Sequence, residues 1–199
     1  VQFSGTKTLT GKVLAADDFS FELIDSEGKT IETVKNAANG KFAFSAIEYE
    51  LADAGKTFTY TVKEVNDGKA GITYDDTVYT VTVEVKDAGD GTLTVTASDN
   101  INTLNFTNSY EAEGEITFEG VKAIEGRALT ENDKFTFEIK EGEKTIATVE
   151  NDANGKIAYP TIEYTLNEDR DDTGEHTYTV KEISTDGNGI TVDTNVYTV

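Results

Sequence analysis

Cysteine, methionine and tryptophan are absent from the 199 residues, and proline and histidine occur once each. Without cysteine no disulfide can brace a domain, so stability must come from packing or from a different crosslink. The lack of thiols does not fix the compartment, but it suits an oxidising exterior where a free thiol is a liability. No apolar run is long enough to span a bilayer, and no signal peptide or sorting motif is recognisable, so any such signal is expected outside this stretch. Basic residues are scarce: 17 Lys and Arg stand against 38 Asp and Glu, for a net charge of -21. Phosphate binding needs clustered Lys or Arg, so neither nucleic acid nor an anionic membrane is expected as a partner. Conventional enzyme chemistry also has little to draw on, with no thiol, no glycine-rich phosphate loop and a lone His176 that reads as an ordinary strand residue. No cofactor or metal is called for; DAGDG at Asp87 reads as a turn, with only two charged ligands to offer a cation.

What the chain does have is Thr, Val, Tyr and Phe in short alternating runs, the period of half-buried strands, so it is expected to be all-β. It is also duplicated. GTKTLTGKVL from Gly5 returns as GVKAIEGRAL from Gly120, FSFEL from Phe19 as FTFEI from Phe135, and ANGKFAF from Ala38 as ANGKIAY from Ala153. YTVKE from Tyr60 returns at Tyr178 and VYTV from Val78 at Val196. The second copy carries a longer acidic loop, NEDRDDTGE, read as solvated. The first copy runs on to LNFTNSY, whereas the second reaches Val199 without a counterpart of these closing strands. The expected organisation is two tandem domains, 1–110 and 111–199, the second C-terminally incomplete and joined to the first through the polar stretch EAEGE from Glu111. Truncation is the first explanation of that incompleteness, and completion by a strand of another chain the second. Asn-Gly at Asn39 and Asn154 signals tight hairpins, because both turn residues tolerate positive φ, and many short strands at such spacing suggest sandwiches.

Alternate residues of a strand face the same way, so parity alone assigns side chains to core or solvent. Lys7 falls in register with Val1, Phe3, Gly5 and Leu9, and Lys122 with Ile116, Phe118, Gly120 and Ile124. Glu64 shares a face with Phe58, Tyr60 and Val62, and Glu182 with His176, Tyr178 and Val180. Asn108 shares one with Leu104, Phe106 and Tyr110. Singly, each has a bland reading: a snorkelling lysine, an edge glutamate, a turn-capping asparagine. Together, three polar groups at core parity in one small domain demand mutual satisfaction, because burying unpaired charge is costly. They also suit a reaction, since burial favours a neutral, nucleophilic amine and a protonated acid beside a carboxamide. The expectation is that the Lys7 amine attacks the Asn108 carboxamide with Glu64 as proton shuttle, releasing ammonia and leaving an amide crosslink.

These residues resemble the streptococcal pilin isopeptide-linkage family, the FctA-type or CnaB-like domains of Gram-positive pili and surface adhesins. The resemblance rests on KTLTG at Lys7, FSFEL, ANGKFAF, IEY, YTVKE, GITYD with VYTVTV, and FTNSY. It implies tandem Greek-key, immunoglobulin-like sandwiches in which a first-strand lysine bonds a last-strand asparagine beside a catalytic glutamate. Those roles fall on Lys7, Asn108 and Glu64, and in the second copy on Lys122 and Glu182, whose asparagine lies beyond Val199. The implied function is a structural stalk repeat of a cell-wall-anchored surface protein, with an adhesin stalk preferred over a pilus shaft. Its partners would be neighbouring repeats and other pilin or adhesin subunits. The rival reading, a host protein or glycan binding module, lacks a cluster of aromatics in any expected loop.

Overall fold

The structure, a computed structural model, describes residues 1–199 as strands and turns, with two short 3-10 turns and no α-helix. No helix is long and apolar enough to cross a membrane. The chain packs as two units, Val1–Ala112 with Leu166–Asp171, and Glu113–Thr165 with Asp172–Val199.

The first unit contains β1 (Ser4–Thr10), β2 (Ser20–Ile24), β3 (Thr30–Lys35), β4 (Lys41–Ala43), β5 (Thr57–Glu64), β6 (Ile72–Thr73), β7 (Val78–Asp87), β8 (Leu93–Ala97) and β9 (Leu104–Tyr110). They form two sheets, ordered β4-β1-β9-β6 and β3-β2-β5-β7-β8, in a Greek-key sandwich. The first and last strands, β1 and β9, run side by side in parallel, while every other neighbouring pair is antiparallel. Alternation builds the core as expected: Val81, Val83 and Val85 of β7 point in, and Thr80, Thr82 and Glu84 point out. Across the sandwich, Phe21 of β2 stacks on Phe42 of β4 with centroids 3.9 Å apart, and Phe106 of β9 lies 5.2 Å from Phe21. Each fully buried phenylalanine stabilises the unit by about 1.5–3 kcal/mol, so the aromatic cluster holds the two sheets together.

The remaining strands are β10 (Ala112–Ile116), β11 (Glu119–Val121), β12 (Thr136–Glu141), β13 (Lys144–Glu150), β14 (Lys156–Ala158), β15 (Ile162–Leu166), β16 (Tyr178–Glu182) and β17 (Val196–Thr198). The sheet β13-β12-β16-β17 repeats β3-β2-β5-β7, and the pair β11-β14 repeats β1-β4. There are no counterparts of β8 and β9, and the consequences are local. Strand β6 exists by pairing with β9, whereas the matching Ile190 makes only an isolated bridge to Gly187. Strand β1 spans seven residues between two neighbours, but β11 spans three beside one. Twelve buried side chains form the first core and six the second, where Ile157 stands at the position of Phe42 and nothing replaces Phe106.

One sequence expectation is corrected. The Asn-Gly turns are not hairpins within a sheet, because β3 and β4, like β13 and β14, lie in different sheets. Of the two turn residues the glycines take positive φ, Gly40 at 81° and Gly155 at 86°. Ala37 N–H donates to the Lys41 carbonyl at 2.8 Å and Gly40 N–H to the Ala37 carbonyl at 2.9 Å, a tight turn closed by a left-handed glycine. This turn also fixes the lysines, since Gly40 and Gly155 carbonyls accept from the Lys7 and Lys122 main-chain N–H at 2.7 Å. The stretch EAEGE, read as a polar junction, mostly enters β10, which pairs with β15. The side chains of β10 are almost all exposed.

The parallel β1-β9 contact requires glycine at position 5, where a Cβ would lie 1.9 Å from the Leu104 carbonyl oxygen. At Gly120 the nearest atom is the Ile157 side chain at 3.3 Å. Gly5→Ala is therefore expected to destabilise its unit by about 1–3 kcal/mol, while Gly120→Ala stays close to neutral. Denaturant midpoints of the two variants measure the difference.

Candidate functional site: a buried lysine, glutamate and asparagine

The two sheets bring three strands to one point. Lys7 comes from β1 and Asn108 from β9 in one sheet, and Glu64 from β5 in the other. Lys7 pairs with Phe106 and Leu9 with Asn108, so Asn108 lies diagonally from Lys7 on the same inward face. All three are buried, at 3% exposure for Lys7, 8% for Glu64 and 1% for Asn108. Lys7 Nζ lies 2.7 Å from Glu64 Oε1, and Asn108 Nδ2 donates to the same oxygen at 3.2 Å. The Phe19 ring covers the amine at 4.6 Å. Despite its short ion-pair distance, Nζ makes no hydrogen bond of good geometry, and Glu64 Oε2 has no partner. The other end of the carboxamide is held: the Asp75 main-chain N–H donates to Asn108 Oδ1 at 2.8 Å. An N–H must face an acceptor, so this contact settles which amide atom is oxygen and directs Nδ2 at the acid.

The electrostatics follow from burial. Desolvation pushes the Lys7 amine below its ordinary 10.5, against the opposing pull of Glu64. It pushes the Glu64 carboxyl above 4.5, against hydrogen bonds and charge from Lys7 and Asn108. Both shifts favour the neutral forms, so moving one proton from amine to acid leaves a nucleophile and an acid beside an acyl group. Chemically, the arrangement can transfer the Asn108 acyl group to Lys7.

In the second unit Lys122 Nζ lies 2.7 Å from Glu182 Oε2 with the Phe135 ring at 4.4 Å, repeating half of the arrangement. Burial is less complete, the two side chains being 11% and 3% exposed against 0% and 1% for Lys7 and Glu64. A cavity of about 420 Å³ opens beside the pair, lined among others by Phe118, Gly120, Lys122, Ile157 and Glu182. No asparagine reaches Glu182; the Asp193 main-chain N–H points at its Oε2 instead, at 3.4 Å.

Two elements of the site escape a parity reading. Asn36 is buried, accepts from the Phe19 main-chain N–H at 2.8 Å, and donates to the Ala15 and Ala37 carbonyls at 2.7 and 3.0 Å. With its amide committed to backbone it anchors Phe19, the residue just before β2 whose ring covers Lys7. Asn151 repeats this role with Phe135, Asp133 and Asp152. The signal for it is an asparagine recurring at matched positions of both repeats. The second element is the Asp75 N–H, which no side-chain pattern reveals. His176, expected within a strand, lies just before β16. Its Nδ1 contacts Glu141 Oε1 at 2.6 Å and its Nε2 the Asp172 carbonyl at 2.9 Å, and the Glu141 contact raises its pKa above 6.5.

A family profile described as FctA, Spy0128-like isopeptide containing domain, matches residues 3–111 and again 118–199. Among solved structures, a mutant of the major pilin of Streptococcus pyogenes is 16% identical with a TM-score of 0.42, covering 92% of this chain and 82% of that one. A second S. pyogenes major pilin is 17% identical with a TM-score of 0.38, covering 98% and 91%. The shaft pilin spaA of Lactobacillus rhamnosus GG is 15% identical with a TM-score of 0.35, covering 99% and 91%. No curated protein matches this chain.

For the acyl transfer that this arrangement could support, the opposed shifts would set a pH window. Attack needs the neutral amine, present above the lowered Lys7 pKa, and protonation of the leaving nitrogen needs the acid, present below the raised Glu64 pKa. The rate of ammonia loss after refolding, read by intact mass, is expected to fall towards acid as the Lys7–Glu64 pair gains a proton and towards alkali as it loses one. A rate that keeps rising into the ordinary lysine range would contradict this.

Proposed function

Because the chain belongs to the FctA family of Spy0128-like isopeptide-containing domains, we propose that it is a structural stalk segment of a Gram-positive surface appendage, a pilus shaft or adhesin. Its first unit welds itself through a Lys7–Asn108 amide. The observation that carries this reading is the convergence of Lys7, Glu64 and Asn108 in one buried site, with the amine and the carboxamide both on Glu64 Oε1. The domain boundary falls between the two repeats, and each repeat is one module of the stalk. The protein is no turnover enzyme: the reaction happens once, within the fold, where proximity supplies the effective molarity that an unactivated amide needs.

The mechanical logic follows from topology. The crosslink ties the first strand to the last, enclosing about 100 residues, and a loop of that size restricts the unfolded chain by about 4.7 kcal/mol in the disulfide model. An amide, unlike a disulfide, resists reduction. Tension entering near one terminus and leaving near the other passes through the covalent bond before the interior ladder is sheared. Modules in tandem make a spacer that holds a distal tip away from the cell wall, at the cell surface and among other subunits of its kind. In the second unit Lys122 and Glu182 stand as the matching lysine and acid, with no asparagine of this chain beside them.

Intact mass tests the weld. The whole chain is expected to weigh one ammonia less than its sequence mass, and Lys7→Ala, Glu64→Ala and Asn108→Ala to show the full mass with lower thermal and protease resistance. An unmodified wild-type mass would sink the reading. Under force, the Lys7→Ala chain is expected to release roughly 330–360 Å more extension than wild type, at about 3.3–3.6 Å for each freed residue. Equal extensions in single-molecule pulling would count against the mechanical role.

A further inference from the structure

We propose that the main-chain N–H of Asp75 is the oxyanion donor of the crosslinking step, held in place by the Asp75 side chain. The inference rests on the proposed weld and assigns it a group beyond Lys7, Glu64 and Asn108.

The contact is on the reacting group itself, since Asp75 N–H donates to Asn108 Oδ1 at 2.8 Å. When the neutral Lys7 amine adds to Asn108 Cγ, a C–N bond forms and the carbonyl electron pair moves onto Oδ1. That oxygen then carries negative charge in a water-poor site, where a preorganised donor has its greatest effect. Glu64 gives its proton to Nδ2 and takes one from Nζ, the Cγ–Nδ2 bond breaks, and ammonia leaves. Glu64 ends as the acid it began as, and no electrons are gained or lost.

The donor is braced on both sides. Asp75 Oδ1 accepts from the Thr77 N–H at 2.9 Å, and Oδ2 from the Thr107 N–H at 2.7 Å. Thr107 immediately precedes Asn108 on β9, so the carboxylate clamps the turn before β7 to the strand carrying the acyl group. Burial works to raise its pKa, but the Thr77 side chain together with the Thr107 and Thr77 N–H groups outweighs it and keeps the carboxyl below the ordinary aspartate range. The second unit is an internal comparison. Asp193 occupies the same place, its Oδ1 likewise accepts from the Asn195 N–H at 2.9 Å, and its own N–H points into the site. With no asparagine there it meets the Glu182 carboxylate at 3.4 Å. The inward N–H is therefore a feature of the turn, present with or without the carboxamide.

The test is an amide-to-ester replacement at the Tyr74–Asp75 bond in the full chain, made by semisynthesis, which removes this N–H and keeps every side chain. Refolding is started by dilution from denaturant, and ammonia loss is followed by intact mass. Near-ultraviolet circular dichroism is compared with the folded, unlinked Glu64→Ala chain. One oxyanion donor is worth about 10²–10³-fold in rate, so the ester chain is expected to slow by that factor. An ester at the Asp75–Asp76 bond is expected to leave the rate unchanged. Should the first ester chain fail to fold, Asp75→Ala, which keeps the N–H but releases its clamp, is expected to show a smaller slowing. A rate equal to the unsubstituted chain in either folded variant would overturn the assignment. No ammonia loss from the unsubstituted chain would instead remove the weld itself, and this inference with it.

Discussion

The burial of a lysine amine between two sheets is the constraint on which the first unit depends. A charged ammonium at 3% exposure with no well-formed hydrogen bond is tolerable only beside an acid that can take its proton, and Glu64 is 2.7 Å away. Around that pair the fold is arranged with little slack. The parallel β1-β9 contact needs Gly5, the turn at Gly40 fixes the lysine backbone, and Asn36 anchors Phe19 at the entry to β2. A site so enclosed excludes water, which would otherwise solvate the amine and restore its ordinary basicity.

The two units show what one strand contributes. Both carry the lysine, the glutamate, the covering phenylalanine and the turn that grips the lysine backbone. Only the first has β9, and with it come Asn108, Phe106, the longer first strand and the paired β6. Where β9 has no counterpart the lysine is partly exposed and a cavity opens beside it. A strand that completes the sandwich also delivers the carboxamide, so under the proposed weld folding and chemistry are coupled: the acyl group reaches the amine only when the last strand docks. That reaction would make the docking permanent, which is the property a stalk under tension needs.

Much of this arrangement is legible in the amino-acid sequence. Strand period two is rigid enough that Lys7, Glu64 and Asn108 can each be assigned an inward face from their neighbours, and duplication exposes the repeat boundaries of the motifs. Parity cannot say which inward faces meet, because that depends on strand order and on the angle between sheets. It is also blind to main-chain donors: the Asp75 N–H has no residue-type signature, and only the turn geometry before β7 aims it at Asn108. The Asn-Gly turns mislead for a related reason. Their local chemistry specifies a tight reversal but not whether the next strand joins the same sheet, and here it crosses to the other. EAEGE reads as a polar junction, and the two units divide within it between Ala112 and Glu113; composition registers its charge but not its backbone pairing as β10.

The proposed stalk function and chemistry both rest on one covalent bond, whose presence and location can be read directly by digesting the whole folded chain and sequencing the peptides by tandem mass spectrometry. The expected product is a branched peptide in which the Lys7 side chain is joined to the Asn108 side chain, short of its starting mass by one ammonia, with Lys122 unmodified. Recovery of the Lys7 and Asn108 peptides as separate, unmodified species would contradict the weld.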